Sequence, residues 1–182
     1  DVILHVHVAE TREESAPLEA EYGRSITRIL ADHDVFAART LMAHGVWVDA
    51  DDIALLARSG VAVAHCPVSN MKLGSGVAPV AAMLDAGITV ALGTDGPASN
   101  DTLDLWEEVK VASLLARVDA LDTTLLPAAQ VLAMATRHGA TALGLDDVGF
   151  LAPGMAADLV RLDLDHPSFT PVTSPDELMA HL

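Results

Sequence analysis

An α/β fold built on a parallel sheet is predicted by three observations. Short apolar runs alternate with helical stretches along the chain, the pattern of successive βαβ units. Four of those runs end in a polar residue able to bind a metal or move a proton: His7, His44, His65 and Asp95. All four therefore stand at carboxyl ends of strands, where parallel sheets bind their ligands. One histidine on an apolar strand reads most simply as a hydrogen-bonded core residue. Four strand ends of the same chemistry read together as a site.

Each element can be justified in order. Val2–Val8 is the first strand, and side chains two apart share a face, so His5 and His7 point the same way. Glu10 follows where the strand turns. Pro17 is tolerated in a helix's first turn, which predicts a helix from near Ser15 to about Ala31. Leu41–His44 is the second strand, ended by Gly45. Asp49 or Asp51 caps a helix that runs to Ser59 and stops at Gly60. Val61–Cys66 is the third strand, halted by Pro67, and Ser69–Gly76 reads as a polar loop. Residues 77–86 form a helix closed by Gly87, and 88–92 the fourth strand. Gly93, Gly96 and Pro97 end it, which puts Asp95 at a strand-to-loop junction. A carboxylate there serves a ligand or caps the next helix, and these residues alone leave both open. Asp101 and Asp104 open an amphipathic helix to about Arg117, and Pro127–Leu143 is a further helix outside the sheet. Val148–Gly154 is turn-rich, and Ala157–Leu164 alternates as a strand with no catalytic residue at its end. His33, His138, His166 and His181 lie in helical, loop or tail contexts that predict solvated rings.

Composition narrows the function classes. The 182 residues suffice for one domain and are 51% hydrophobic, enough for a large core. No run of about 18 apolar residues occurs, so a membrane span is not expected. A net charge of −16, with Lys72 and Lys110 as the only lysines, repels phosphate backbones and argues against nucleic acid. Cys66 is the sole cysteine and there is no leader-like pattern, so a reducing cytoplasm is the expected setting. The sequence opens inside an apolar run, Val2-Ile3-Leu4, which reads as part of a longer chain.

Several stretches together resemble the amidohydrolase superfamily. They are His-Val-His-Val-Ala-Glu-Thr (5–11), Ala-His-Gly-Val (43–46), His-Cys-Pro-Val-Ser-Asn-Met-Lys-Leu-Gly-Ser-Gly (65–76) and Leu-Gly-Thr-Asp-Gly-Pro-Ala-Ser-Asn (92–100). Residues 135–144 and 151–160 are similar to the family's closing segment. Within the superfamily the likeness is to hydrolytic deaminases of S-adenosylhomocysteine and 5′-methylthioadenosine, with related chlorohydrolases. The resemblance implies a (β/α)8 TIM barrel flanked by a small β-sandwich. Residues 1–145 would be the C-terminal half of the barrel, strands five to eight, and 146–182 would lead into the sandwich. The His-x-His pair of the family's first strand has no counterpart here. His5-Val6-His7 has that spacing but matches the fifth strand, since Glu10 follows in register.

The roles that follow are implied by the resemblance. His7 and Asp95 are ligands of one Zn²⁺ or another divalent metal such as Fe²⁺. Asp95 also accepts the proton of the attacking water, Glu10 carries a proton to a ring nitrogen, and His44 stabilises the tetrahedral centre at C6 of an adenine ring. His5 is structural or orients a ligand. His65, Ser69, Asn70 and Asn100 are candidates for touching substrate. The partner is a small purine nucleoside or related heterocycle, with neither nucleic acid nor membrane involved. A homo-oligomer is expected, with the N-terminal half supplied in cis or as a second chain. Rival readings are a guanine or 8-oxoguanine deaminase, a triazine chlorohydrolase, and an inactive half-barrel.

Overall fold

The computed structural model describes residues 2–170, 172–174 and 177. Its strands are β1 (Leu4–Val8), β2 (Thr40–His44), β3 (Ala62–His65) and β4 (Val90–Leu92). They form one sheet in the order β1-β2-β3-β4, and every neighbouring pair is parallel. The register pairs Val8 with His44 and His65 with Leu92, so the carboxyl ends line one edge of the sheet. This is the parallel α/β sheet that alternating strands and helices specify, and it has the strand order that half of a (β/α)8 barrel would have.

Helices α1 (Arg12–Tyr22) and α2 (Ile26–Asp32) link β1 to β2, and α3 (Ala50–Arg58) links β2 to β3. The pair α4 (Pro67–Leu73) and α5 (Val80–Asp85) leads into β4. Beyond β4 come the short turn α6 (Pro97–Asn100), the long helix α7 (Leu105–Ala120), and α8 (Ala128–Ala135) and α9 (Arg137–Leu143). The core lies between sheet and helices. Met42, Val63 and Val90 of the strands pack with Leu56, Met83, Val109, Val131 and Met134 of the helices. Burying each such side chain contributes about 1.5–3 kcal/mol. Asp49 caps α3, and Asp52 returns the bond in a reciprocal capping box. Among the described residues no helix is long and apolar enough to cross a membrane.

The structure corrects the element boundaries in four places. The single helix expected from Ser15 to Ala31 is two, because Gly23 takes a left-handed φ of 66° and Ser25 caps a new start. The first of them begins at Arg12 rather than Ser15, so Pro17 lies inside it. The signal that decides this is Thr11-x-x-Glu14, since the Thr11 hydroxyl accepts from Glu14 N. Ser69–Gly76 is not a loop throughout: Pro67 ends β3 and at once opens α4, where a missing N–H costs nothing. The helix expected over 127–143 breaks at Thr136, whose hydroxyl turns back to Leu132 O at 2.7 Å.

The fourth correction concerns 157–164, which forms no strand among the described residues. It pairs with none of the four strands, and Leu159 and Val160 are exposed. Alternation specifies a face, but a strand also needs a partner for its backbone. The histidine assignments divide too. His33 and His166 are exposed, whereas His138 is half-buried with Nδ1 3.1 Å from Val90 O, and His181 lies outside the described residues.

Candidate functional site

Three strand ends converge on one point. His7 from β1, His44 from β2 and Asp95 just beyond β4 each bring a donor atom, and these atoms lie within 4.8 Å of one another. The backbone turns sharply at each place: Ala9, His44 and Asp95 have φ of 54°, 72° and 58°. Side-chain-bearing residues rarely adopt that left-handed conformation, and such strain gathers where function over-determines the backbone. Ala9 O accepts from both Val46 N and Trp47 N at 2.9 Å, which locks the first turn onto the second.

The side chains are in unlike settings. His44 is fully buried, Asp95 is 20% exposed and His7 is 61% exposed. The His7 ring stacks beside His5, with centroids 6.1 Å apart, and its Nε2 is 3.7 Å from Asp95 Oδ1. Glu10 reaches the same point from the loop after β1, with Oε2 3.7 Å from His44 Nε2. Its backbone is fixed by Glu14, whose carboxylate accepts from Glu10 N at 2.9 Å.

Asp95 and His44 are braced from behind. Ser69 Oγ and Ser99 Oγ both donate to Asp95 Oδ2, at 2.7 and 2.8 Å. Burial works to raise the Asp95 pKa, but these two hydroxyls, with His44 and the Gly96 N–H, bring it below the usual carboxylate range. His44 Nδ1 lies 2.9 Å from Asn70 Oδ1, which makes Nδ1 the protonated nitrogen and leaves a lone pair on Nε2. That Nε2 is buried and has no hydrogen-bond partner among the described residues. His65 sits below the cluster, pushed down to about 4 by burial and by His44, and is therefore neutral.

The structure thus brings together His7, Glu10, His44 and Asp95. Ser69 and Asn70, expected on the substrate side, are buried with their polar atoms on Asp95 and His44. Asn100 is buried against Glu108. Two residues at the site were not singled out from sequence. These are Ser99, quoted only within the 92–100 stretch, and Glu108, which shares the buried stripe of α7 with Val109, Ala112 and Ser113. Helical periodicity could have found it.

Comparison with known proteins gives the family of the chain. The 5-methylthioadenosine/S-adenosylhomocysteine deaminase of Pelotomaculum thermopropionicum is 50% identical over 179 residues, 98% of this chain and 41% of that protein. Among solved structures, an adenosine deaminase from Xanthomonas campestris with bound zinc superposes with a TM-score of 0.92 at 39% identity, over 98% of this chain and 41% of the other. The atrazine chlorohydrolase of Arthrobacter aurescens, complexed with zinc, gives 0.89 at 35% identity, over 98% and 40%. The chain thus spans about two-fifths of the length of the relatives it matches. The sequence model of the amidohydrolase family matches residues 1–180, taking in every strand and all four clustered side chains, and the chain belongs to that family.

Proposed function

We propose that this chain carries the metal-binding, proton-transferring half of a hydrolytic deaminase acting on an adenine-type nucleoside such as 5′-methylthioadenosine or S-adenosylhomocysteine. The observation that carries the reading is the convergence of His7, His44 and Asp95, with Glu10 beside them, at the carboxyl ends of a parallel sheet. The names of the relatives at this level of identity support the substrate class. A fit to a divalent cation is supported by the orphaned, buried Nε2 of His44 and by a donor set of imidazoles and carboxylate, which suits zinc. His7 and Asp95 would hold it. When bound, it supplies a Lewis acid that brings water to a pKa of about 7.

The other steps belong to the chain's own side chains. Asp95, ionised at neutral pH, takes the proton of the attacking water. His44, held by Asn70, offers the Nε2 lone pair as an acceptor to the O–H of the attacking water and then of the tetrahedral centre. Glu10 gives a proton to a nitrogen of the purine ring, so that C6 accepts the hydroxyl oxygen. The proton held by Asp95 passes to the amino group, the C6–N bond breaks and ammonia leaves, and the hydroxyl proton returns to Glu10 as the C6 carbonyl forms. Proton transfer by such a group contributes about 10²–10⁴-fold. The remaining metal ligands and the rest of the pocket come from a further part of the barrel, in the same chain or a second one. The exposure of Leu4, His5 and His7 on β1 supports this. A cytoplasmic setting fits the single buried thiol of Cys66.

The test is ammonia release by the intact, zinc-loaded protein offered 5′-methylthioadenosine, S-adenosylhomocysteine, guanine and atrazine side by side. Ammonia from the two adenine nucleosides is the expected result. Chloride from atrazine without ammonia from either nucleoside would replace this reading with the chlorohydrolase one.

A further inference from the structure

Glu108 is a carboxylate with no exposure at all, placed on the inner side of α7. Both of its oxygens face donors. Oε2 accepts from the Val68 N–H at 3.2 Å, and Oε1 accepts from the side-chain amide of Asn100. Val68 is the second residue of α4, so this N–H is one of the open donors at the start of a helix. Asn100 ends α6, and its own Oδ1 accepts from Leu103 N at 2.9 Å, shaping the turn into α7. One side chain therefore ties α4, α6 and α7 together. The residues next to its two partners are those that reach the cluster: Ser69 and Asn70 follow Val68, and Ser99 precedes Asn100.

We propose that Glu108 is a positioning residue for Asp95 and His44. It fixes α4 and α6 so that two hydroxyls hold one oxygen of Asp95 and the Asn70 carbonyl holds the His44 ring as the Nδ1–H tautomer. Asp95 Oδ1 and His44 Nε2 are then turned towards His7. The chemistry this serves rests on the deaminase reading, whereas the geometry does not. Both oxygens act as acceptors, the role a carboxyl group fills and an amide fills at one atom only. Burial raises the Glu108 pKa above the usual carboxylate range, and the bonds from Val68 and Asn100 offset only part of that rise. Packing alone would be served better by an apolar side chain on this stripe. A buried charge is retained at a cost unless its bonds do something else.

The experiment uses the intact protein with Glu108→Gln, Asn100→Ala and, as a core control in α3, Ile53→Ala. Two quantities are read: the ¹⁵N signals of the His44 ring and zinc affinity by competition with a chelating dye. Glu108→Gln has nearly the same shape but sets an amide N–H₂ against one of the two donors. It is expected to lose about 10–100-fold in zinc affinity and to turn a single Nδ1–H pattern into a mixture of tautomers. Asn100→Ala, which removes one arm, should move both in the same direction by less. Ile53→Ala should lower Tm and move neither. Glu108→Gln with the wild-type ring pattern and affinity would overturn the proposal, as would equal losses in Ile53→Ala. Should the wild-type protein take up no zinc, the deaminase reading loses its cation, while the His44 signals still decide the role of Glu108.

Discussion

Asp95 and His44 rest on a buried polar frame, whereas His7 projects from an exposed edge strand and Glu10 from the loop that follows it, both held mainly by backbone bonds. On the first side the supports are buried hydrogen bonds: two serines on Asp95, one asparagine on His44, one glutamate joining the elements that carry them. On the second side His7 is held by ring contacts with His5 and His44 and by Asp95, with its own ring largely exposed, and Glu10 is anchored through its N–H rather than its carboxylate. The difference teaches where geometry is fixed by this chain alone. The Asp95–His44 pair is set before any ligand arrives, while the Glu10 carboxylate keeps the freedom that carrying a proton between two places requires.

The sharpest way to break the comparison is Asp95→Asn in the intact protein. The amide still accepts from one serine, so the fold should survive, with Tm close to wild type. Turnover is expected to fall by about 10⁴-fold, the upper end for a lost proton acceptor, and zinc affinity should fall with it. Near-normal turnover would remove Asp95 from both roles. Glu10→Gln probes the looser side. Its expected loss is about 10²-fold in kcat with zinc content unchanged, measured by single turnovers and metal analysis of the same sample. Zinc lost in parallel would make Glu10 a ligand instead.

Most of the sheet and three of the clustered side chains, His7, His44 and Asp95, were legible as strand ends in the sequence. The role of Glu10 came with the family resemblance, and His65, a fourth strand end, stands outside the cluster. Buried strands leave continuous apolar runs, and the polar residue that ends each run stands out against them: Val-Ala-Val-Ala before His65, Ile-Thr-Val-Ala-Leu before the Gly-Thr-Asp turn. The supports were not legible, for a physical reason. Ser69, Asn70, Ser99 and Glu108 are polar in sequence, and polarity predicts solvent. Only the approach of α4 to α6 and α7, set by tertiary packing, buries them and aims them inward. The alternating stretch 157–164 failed in the opposite sense. Its pattern is a strand's, but pairing is a property of two segments, and one sequence run cannot show its partner.

His65 offers a test of the buried side through pH. Its folded pKa is depressed from 6.5 to about 4, so the folded protein keeps the ring neutral where the unfolded chain binds a proton. The stability this represents is intact above pH 6.5 and is lost as pH falls towards 4. His65→Leu should therefore flatten the fall in stability across that window. The gain relative to wild type should reach about 3 kcal/mol at its lower end, from urea denaturation at each pH. Parallel curves would mean that the ring is protonated in the folded state.

The smallest expected effect concerns the same two elements that Glu108 joins. On the surface Lys72 of α4 also reaches α6, with Nζ 2.6 Å from Asp101 Oδ1. The two links span the same gap, but the lysine and aspartate side chains are 38% and 72% exposed, and water screens them. An exposed pair of this kind contributes about 0–1 kcal/mol. Lys72→Ala should lower stability by no more than that, less so at high salt, and leave zinc affinity and the His44 ring signals where they are. If Lys72→Ala disturbed the cluster as strongly as Glu108→Gln, the spacing of α4 and α6 would depend on any tie between them, and the buried carboxylate would hold no special place. If it does not, the frame behind Asp95 and His44 is set from the inside, by the one link that water cannot replace.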